Sequence, residues 1–365
     1  MKVNFNQLDR GYLKFKAEYD RAAIETLESG WYILGSRGEK FEREFSNFLG
    51  SKYCIGLNSG LDALILAFRA LGIGKGDEVI VPANTYIASV IGVTENDATP
   101  VFVEPDEYYN LDTTKIEEKI TERTKAILVV HLYGQAADMV NIKATADKYN
   151  LYLVEDCAQS HGASFNGKVT GTWGDIGCFS FYPTKNIGAF GDSGAIVTNN
   201  SQLYEKIKML RNYGSKVKYQ NEILGVNSRL DEMQAALLSV KLGHYLELRA
   251  ERESFANEYL NRIKNPFITL PKIREISEHV WHLFVVKVDE RDKFQKYLGD
   301  NGIATQIHYP IPPHLSEAYG YLDENEGNLP ITESYANHII SLPLFDGITK
   351  EEVDYIISIV NEFQG

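Results

Sequence analysis

Cysteine is scarce in the 365-residue chain, which contains only Cys54, Cys157 and Cys178. An odd number of widely spaced cysteines, with no Cys-x-x-Cys pair, argues against a disulfide framework and against a zinc site. This usage is typical of proteins that are kept in a reducing compartment. We therefore expect a cytoplasmic protein with no bound metal.

Long apolar runs are also absent. The longest run without glycine, Ala63 to Phe68, contains six residues, whereas a helix needs about 20 residues to span a bilayer. The first residues of the chain lack the apolar core that a secretory signal requires. We therefore expect no association with a membrane.

An excess of basic residues is missing as well. The chain has 37 Lys and Arg residues against 50 Asp and Glu residues, which gives a formal net charge of −13. Nucleic-acid-binding domains normally carry an excess of positive charge. The composition therefore argues against a nucleic-acid partner.

The order of the apolar segments predicts an α/β protein. From about residue 51 to 200, short β-branched runs alternate with amphipathic segments, which is typical of a mostly parallel sheet with helices on both faces. The predicted strands are Glu78–Val81, Pro100–Val103, Ala126–Val130, Leu151–Val154, Ile176–Phe181 and Gly194–Thr198.

A second, smaller domain follows this α/β region. A chain of this length is expected to contain two domains, at roughly 150 residues each. The pattern from about residue 230 to 263 predicts one helix of roughly 50 Å that links them. The strand-like run Trp281–Val286 then lies among helical segments. We therefore predict a large α/β domain over residues 1–245 and a small α+β domain over residues 246–365.

Three short segments are typical of a site for a phosphorylated ligand. Ser59 can cap a helix, and Gly60 in its first turn lets a ligand approach backbone N–H groups, which bind phosphate at helix N-termini. Asp156 directly follows a buried strand, where ligands of open α/β sheets bind, although a helix cap is an equal alternative. Lys185 is flanked by apolar and small residues, which is typical of a partly desolvated nucleophile. For a lysine considered by itself, an exposed loop position is the more common alternative.

Together these segments contain the parts that hold pyridoxal 5'-phosphate. A lysine can bind this cofactor covalently through a Schiff base, an aspartate can keep its pyridine nitrogen protonated, and a helix N-terminus can anchor its phosphate. With these parts in this order, the chain resembles the DegT–StrS family of pyridoxal-phosphate-dependent nucleotide-sugar aminotransferases over essentially its whole length. The matching segments are Asn58–Ala63, Gly76–Pro82, Val154–Gln159, Ser180–Gly194 and Asn227–Asp231.

The resemblance implies a fold and a set of cofactor contacts. The fold is that of aspartate aminotransferase (fold type I), with a large domain around a mixed seven-stranded sheet and a smaller C-terminal domain. Lys185 is expected to bind the cofactor covalently and then to act as the general base, and Asp156 to pair with the pyridinium nitrogen. Asn227 is expected to reach the phosphate from the neighbouring subunit of a homodimer. The implied cofactor-binding residues are Gly60, Leu61, Tyr86, Asp156, Gln159, Ser180, Lys185 and Asn227.

The resemblance also implies the substrates, a nucleotide-linked keto sugar and an amino-acid donor, L-glutamate. Gly60-Leu61-Asp62 and Asn84–Ala88 are similar to the branch that aminates C3 of 3-keto-6-deoxyhexoses linked to thymidine diphosphate (dTDP). Between Leu203 and Arg229, six basic residues stand against two acidic ones, and this local charge of +4 would help an anionic nucleotide to dock. The residues expected to bind the substrate are Tyr182, Lys218, Arg229, His308 and Tyr309.

Several alternatives stay open at this point. A C4 aminotransferase acting on a UDP- or GDP-linked 4-keto sugar is the nearest one, and a non-catalytic regulatory protein of the same fold belongs to a different class. A related sugar 3-dehydratase would have histidine in place of Lys185. A Rossmann dehydrogenase is disfavoured because Gly72-x-Gly74-x-Gly76 follows a predicted helix instead of a strand, which favours a turn.

Overall fold

The structure, a computed structural model, describes residues 1–365 and contains fourteen strands and twelve α-helices. No helix is both long enough and apolar enough to cross a membrane. The strands are β1 (Tyr53–Leu57), β2 (Glu78–Pro82), β3 (Thr99–Val103), β4 (Thr124–Val130), β5 (Tyr152–Asp156), β6 (Ser164–Phe165), β7 (Lys168–Val169), β8 (Ile176–Ser180), β9 (Gly194–Thr198), β10 (Ser215–Val217), β11 (Gln220–Asn221), β12 (Ser277–Glu278), β13 (Phe284–Lys287) and β14 (Ile339–Leu342). The helices are α1 (Leu8–Lys14), α2 (Lys16–Ser29), α3 (Ser36–Leu49), α4 (Gly60–Leu71), α5 (Ile87–Thr94), α6 (Met139–Tyr149), α7 (Ser201–Leu210), α8 (Glu232–Gly243), α9 (Tyr245–Arg262), α10 (Arg291–Asp300), α11 (Pro330–His338) and α12 (Lys350–Glu362).

A seven-stranded sheet with the order β1-β9-β8-β5-β4-β2-β3 forms the centre of the large α/β region. Neighbours from β8 to β3 are parallel, whereas β9 pairs antiparallel with both β8 and β1. Only β9 therefore runs against the other six strands. Strands such as β2 and β9 are buried at every position, because helices cover both faces of the sheet. The predicted mixed seven-stranded sheet is confirmed, and the predicted strand ends agree with it within two residues.

The strand directions bring the carboxyl ends of six strands to one edge of the sheet. Ser59 follows β1, Tyr86 follows β2, Asp156 ends β5 and Ser180 ends β8. The first residue of the reversed strand, Gly194, lies at the same edge because it pairs with Ser180. Residues that are far apart in the sequence therefore meet at this edge, where ligands of open α/β sheets bind.

The C-terminal region has its own hydrophobic core. Strands β13 and β14 form an antiparallel pair, and side chains of α9, α10 and α12 pack with them. Val3 from the beginning of the chain is buried in this core and pairs with Ile303. The first residues thus pack with the C-terminal region, and the domain boundary at residues 245 and 246 stays a prediction.

Two predicted elements differ from the structure. The single long helix is two helices, because the backbone of His244 (φ −103°, ψ 2°) leaves the helical region between α8 and α9. The His244 ring stacks on Phe15, with ring centroids 3.8 Å apart, and its Nε2 lies 3.1 Å from the Glu18 carboxylate. The strand predicted from Trp281 begins at Phe284 instead, because Trp281 has a positive φ of 51°. Tertiary contacts therefore override the local pattern at both places.

Candidate active site

A cavity of about 640 Å³ lies at the carboxyl edge of the large sheet, where side chains of the C-terminal region also contribute to its lining. Ten of the thirteen predicted site residues line it. These are Gly60, Leu61, Tyr86, Asp156, Gln159, Ser180, Tyr182, Lys185, His308 and Tyr309.

One end of the cavity is a backbone cradle at the N-terminus of α4. Ser59 caps this helix, and its Oγ accepts a hydrogen bond of 3.0 Å from the N–H of Asp62. The N–H groups of the first turn have no acceptor within the helix, so they are free to bind an anion. A Cβ atom added to Gly60 would lie 2.6 Å from Cβ of Ser180. Glycine is therefore needed at this position for β8 to approach the start of α4.

Asp156 lies on the floor of the cavity at the end of β5. Its Oδ2 accepts a hydrogen bond of 2.8 Å from Oγ of Ser89, and its Oδ1 accepts one of 3.1 Å from the N–H of Ala158. Burial raises the pKa of this carboxyl group, and the two hydrogen bonds and the charge of Lys185 oppose the rise. A turn follows Asp156, and the next regular element is a strand. The alternative of a helix-capping aspartate is therefore wrong.

Lys185 lines the same cavity from the loop between β8 and β9. Burial lowers the pKa of its amine to about 8, and the negative charge of Asp156 opposes this shift. The next residue, Asn186, is buried; its Nδ2 donates to the carbonyl of Val280 at 2.8 Å, and its Oδ1 lies 3.0 Å from Nδ1 of His282. These contacts tie the loop to the C-terminal region. Lys185 is thus a partly buried lysine of the cavity with a lowered pKa, and the alternative of an exposed loop lysine is wrong.

The opposite wall consists of aromatic and polar side chains. Oε1 of Gln159 accepts a hydrogen bond of 2.7 Å from the N–H of Tyr133, and its Nε2 donates to the hydroxyl of Tyr309 at 3.0 Å. The Tyr309 ring lies 5.1 Å from the ring of Tyr86, centroid to centroid. Nδ1 of His308 lies 2.8 Å from Oγ of Ser341. Burial and the charge of Lys185 lower the pKa of His308 to about 4, so this imidazole is neutral at pH 7.

Three predicted residues lie outside the cavity of their own chain. Lys218 is exposed on the β10–β11 hairpin, and Asn227 is exposed and forms an isolated β-bridge with Asn212. The guanidinium of Arg229 donates to Oδ1 of Asn212 at 3.1 Å and lies 5.5 Å from the centroid of the Tyr213 ring. A single chain therefore does not bring these three residues to Lys185.

The predicted basic patch is only partly available to a ligand. The amine of Lys206 donates to the carbonyl of Ala70 at 2.7 Å. Arg211 is buried, and its guanidinium pairs with Glu42 at 2.6 Å and donates to the carbonyl of Gly56 at 2.8 Å. Two of the six basic side chains therefore serve the packing of the large region, and the local charge of +4 overstates what a nucleotide would meet.

Sequence reasoning missed several residues of the site. Thr85 and Ser89 form a hydrogen-bonded series that ends at Asp156, and they line the cavity together with Phe5, His282 and Gln306. The spacing of four residues between Thr85 and Ser89, next to the segment Asn84–Ala88, is a signal that could have drawn attention to them. Gln306 begins the polar cluster that contains His308 and Tyr309, whereas Phe5 and His282 come from distant parts of the chain that no local pattern marks.

His131, Glu155 and Cys157 place ligand-type atoms close together in the core. Nε2 of His131 lies 3.0 Å from Glu155, and its Nδ1 accepts a hydrogen bond of 3.1 Å from the N–H of Ala137. The Glu155 carboxylate also accepts hydrogen bonds of 2.7–2.8 Å from the N–H groups of Gly171, Trp173 and Gly174. Because these atoms are engaged with one another, we assign the cluster to the packing of the core.

Comparison with known proteins agrees with the geometry of the cavity. The model of the DegT/DnrJ/EryC1/StrS aminotransferase family matches residues 14–361. The dTDP-3-amino-3,6-dideoxy-alpha-D-galactopyranose transaminase of Aneurinibacillus thermoaerophilus is 53% identical over 99% of both chains. The dTDP-3-amino-3,4,6-trideoxy-alpha-D-glucose transaminase of Streptomyces venezuelae is 46% identical over 99% of this chain and 96% of its own.

Solved structures agree with this relationship. The crystal structure of S. venezuelae DesV in complex with a ketimine intermediate has a TM-score of 0.97 and 46% identity to this chain, over 99% of this chain and 98% of its own. The predicted family and the predicted fold are thereby confirmed. With the cavity, its lysine and its aspartate in place, the chain belongs to the DegT/DnrJ/EryC1/StrS aminotransferase family.

Proposed function

We propose that this protein transfers an amino group from an amino acid, L-glutamate, to C3 of a dTDP-3-keto-6-deoxyhexose. The product is a dTDP-3-amino-3,6-dideoxyhexose. The observation that carries the proposal is the convergence of Lys185, Asp156 and the backbone cradle at Gly60 in one cavity. The identity of 53% to a dTDP-3-amino-3,6-dideoxygalactose transaminase over nearly the whole chain supports the choice of C3 and of the nucleotide.

The cofactor of the reaction is pyridoxal phosphate, and the residues of the cavity fit it. When bound, it supplies the carbonyl that carries the amino group and withdraws electrons from the reacting carbon. The free N–H groups of Gly60 and Leu61, together with the hydroxyl of Ser180, would hold the phosphate. Asp156 would accept a hydrogen bond from the protonated ring nitrogen. Gln159 would face the ring hydroxyl, and Tyr86 would stack on the ring.

Lys185 performs two tasks in this proposal. Its lowered pKa of about 8 leaves a useful fraction of the amine neutral near pH 7, so it can attack the cofactor carbonyl. As a general base in the same cavity, this amine would also move a proton between the reacting carbons of cofactor and substrate. The contacts of Asn186 hold the loop next to Lys185 in place.

The sugar would bind against the aromatic wall. Tyr182, His308 and Tyr309 line the cavity, and we assign them to the orientation of the hexose. His308 is neutral near pH 7, so it offers a hydrogen bond and no charge. The choice between C3 and C4 depends on which carbonyl this wall brings within about 3–3.5 Å of the cofactor amine.

We further propose that the active unit is a homodimer with shared active sites. Trp31, Tyr32, Ile33 and Leu34 form a run of exposed apolar side chains, and contiguous apolar surface of this kind is typical of subunit interfaces. Asn227, Lys218 and Arg229 do not line the cavity of their own chain. In a dimer they would complete the cavity of the neighbouring subunit, with Asn227 on the phosphate and the two cations near the nucleotide.

The test of the reaction is to supply a dTDP-linked 3-keto sugar and a 4-keto sugar separately with L-glutamate and to locate the new amine by NMR. We expect amination at C3. Amination at C4 alone would favour the alternative of a C4 aminotransferase and leave the cofactor chemistry standing. A colourless purified protein that captures no pyridoxal phosphate would favour the non-catalytic alternative, although Lys185, Asp156 and the cradle are all retained.

A further inference from the structure

A chain of buried hydroxyl groups lies behind the carboxylate of Asp156. Oγ of Ser89 donates to Oδ2 of Asp156 at 2.8 Å, and Oγ1 of Thr85 lies 2.7 Å from Oγ of Ser89. Ser89 is 1% exposed and Thr85 is 2% exposed, so no solvent competes for these hydrogen bonds. Neither residue is part of the cofactor contacts described above.

The residues at the start of α5 contact both the cavity and Asp156. Tyr86 is the N-cap residue of α5, and its side chain is half exposed towards the cavity. Ser89 lies three residues further along the first turn, and its backbone N–H donates to the carbonyl of Tyr86 at 3.1 Å. One short segment thus presents an aromatic ring to the cavity and a hydroxyl to the buried carboxylate.

The direction of the hydrogen bonds between these hydroxyl groups and Asp156 follows from the number of protons available. An ionised carboxylate can only accept, so the single proton of Ser89 must point to Asp156. Thr85 must then donate its own proton to Ser89. If Asp156 were protonated, it could donate instead, and both hydroxyl groups could reverse. The order Thr85 to Ser89 to Asp156 is therefore the arrangement that matches an anionic aspartate.

We propose that Ser89, oriented by Thr85, is a positioning residue that holds the Asp156 carboxylate ionised and in one orientation towards the cofactor ring nitrogen. This inference rests on the proposed function, because only a pyridine ring requires the anion there. The carboxylate is buried, and a buried anion with fewer donors shifts towards its protonated form. Ser89 supplies one of its two hydrogen bonds, and Ala158 supplies the other.

Other ionisable groups also face Asp156. Lys185 and His131 stabilise its charge, and their contributions come from different segments. Burial raises the pKa of the Cys157 and Cys178 thiols and of the Tyr309 hydroxyl, and the Asp156 charge adds to this rise, so these groups stay neutral. Ser89 is the only side chain that donates a hydrogen bond to the carboxylate directly.

The test uses the enzyme loaded with pyridoxal phosphate that is labelled with ¹⁵N in the ring. In Ser89→Ala, we expect the ring-nitrogen resonance to move from its protonated towards its unprotonated position, because the proton shifts to a less stabilised carboxylate. We also expect kcat to fall by about 10- to 100-fold, while KM for the keto sugar stays within about twofold. Ser89→Thr keeps the hydroxyl and should restore both readouts in large part.

Two further variants separate this role from a structural one. Thr85→Val removes only the outer donor, so the same changes should be smaller; if Ser89→Ala does not fold, Thr85→Val carries the test. Ser239→Ala is a matched control, because the hydroxyl of Ser239 is buried without a partner. An unchanged ring-nitrogen resonance in the folded variants, with wild-type enzyme that is loaded and active, would overturn the inference alone. A wild-type protein that binds no cofactor would overturn the proposed function as well.

Discussion

The floor of the cavity and the segment from Asn212 to Arg229 differ in what one chain can complete. On the floor, strands of a single sheet bring together Asp156, Lys185 and the start of α4. Hydrogen bonds within the chain hold Asp156, the start of α4 and Asn186, the residue next to Lys185. In the 212–229 segment, Asn227 and Lys218 are exposed and do not line the cavity. One chain therefore assembles the first region by folding, whereas the proposed role of the second region requires a neighbouring subunit.

This difference separates two kinds of residues in the proposed reaction. Residues on the floor are expected to set the chemistry, because they contact the reacting part of the cofactor. Residues of the 212–229 segment are expected to set the binding of phosphate and nucleotide, because Lys218 and Asn227 offer an exposed positive charge and an exposed amide group. Substitutions on the floor should therefore mainly lower kcat, whereas substitutions in the 212–229 segment should mainly raise KM.

The largest effect is expected for Lys185→Ala. Removing the amine removes both covalent attachment and the general base, so turnover should fall by about 1,000-fold or more. Noncovalent binding should persist through the cradle at Gly60 and through Asp156. Borohydride treatment followed by mass spectrometry measures attachment, and Lys185→Arg is a control that keeps the positive charge. Near-native turnover of Lys185→Ala would show that this lysine is not the catalytic amine.

Asp156→Ala should follow in size, with a loss of about 100-fold or more in kcat. The buried anion keeps the ring nitrogen protonated, and this charge stabilises the electron-rich transition state. Circular dichroism should show a folded protein, and KM for the sugar should change little. Asp156→Asn keeps the volume of the side chain and should be nearly as inactive. A mild effect of both variants on kcat would leave Asp156 with a packing role only.

The sequence predicted the residues of the cavity floor better than it predicted the other residues of the site. The sequence led to Lys185 and Asp156 because each stands next to a buried strand in a short, recognisable segment. It led to the role of Asn227 only through the family resemblance, and to that of Tyr309 through a polar cluster that ends at Pro310; both roles remain predictions. Periodicity could not find Phe5, because its contact with the cavity joins the beginning of the chain to a distant region.

The errors in the fold have the same origin. The pattern from residue 230 to 263 is helical throughout, yet the contacts of His244 with Phe15 and Glu18 break it. Likewise, Lys206 and Arg211 count as positive charge in the sequence, but the structure engages them with a carbonyl group and a carboxylate. Local patterns predict elements and motifs well, whereas long-range partners decide where an element breaks and whether a charge is available.

A heterodimer of Lys185→Ala and Asn227→Ala subunits tests the comparison between the two regions directly. In a dimer with shared sites, one site would carry both substitutions and the other neither. Each homodimer should be impaired, and the purified heterodimer should recover about half of the wild-type activity. Two differently tagged subunits allow purification of the mixed species. A confirmed heterodimer that recovers no activity would show that Asn227 acts in its own chain or not at all.

A smaller effect is expected for Lys218→Ala. Removing one exposed cation should raise KM for the nucleotide sugar by about 3- to 10-fold and leave kcat unchanged, since exposed charges act weakly and are screened by salt. The increase should shrink at high ionic strength. Lys125→Ala is the matched control, because Lys125 is exposed at the start of β4, away from the cavity. Equal effects of the two variants would assign the change to net charge alone.

The smallest expected effect concerns the pH at which the apoprotein binds pyridoxal phosphate covalently. Only the neutral amine attacks a carbonyl, and burial lowers the pKa of Lys185 from 10.5 to about 8. The rate of attachment should therefore rise with pH up to about 8 and level off above it. Asp156 opposes the lowering, so Asp156→Asn should move this rise to lower pH. Borohydride trapping at a series of pH values measures the rate, and Lys125→Ala should follow the wild-type curve. A rate that still climbs near pH 10 would mean that the floor of the cavity leaves Lys185 as basic as an exposed lysine, and the contrast between the two regions would then lie in geometry alone.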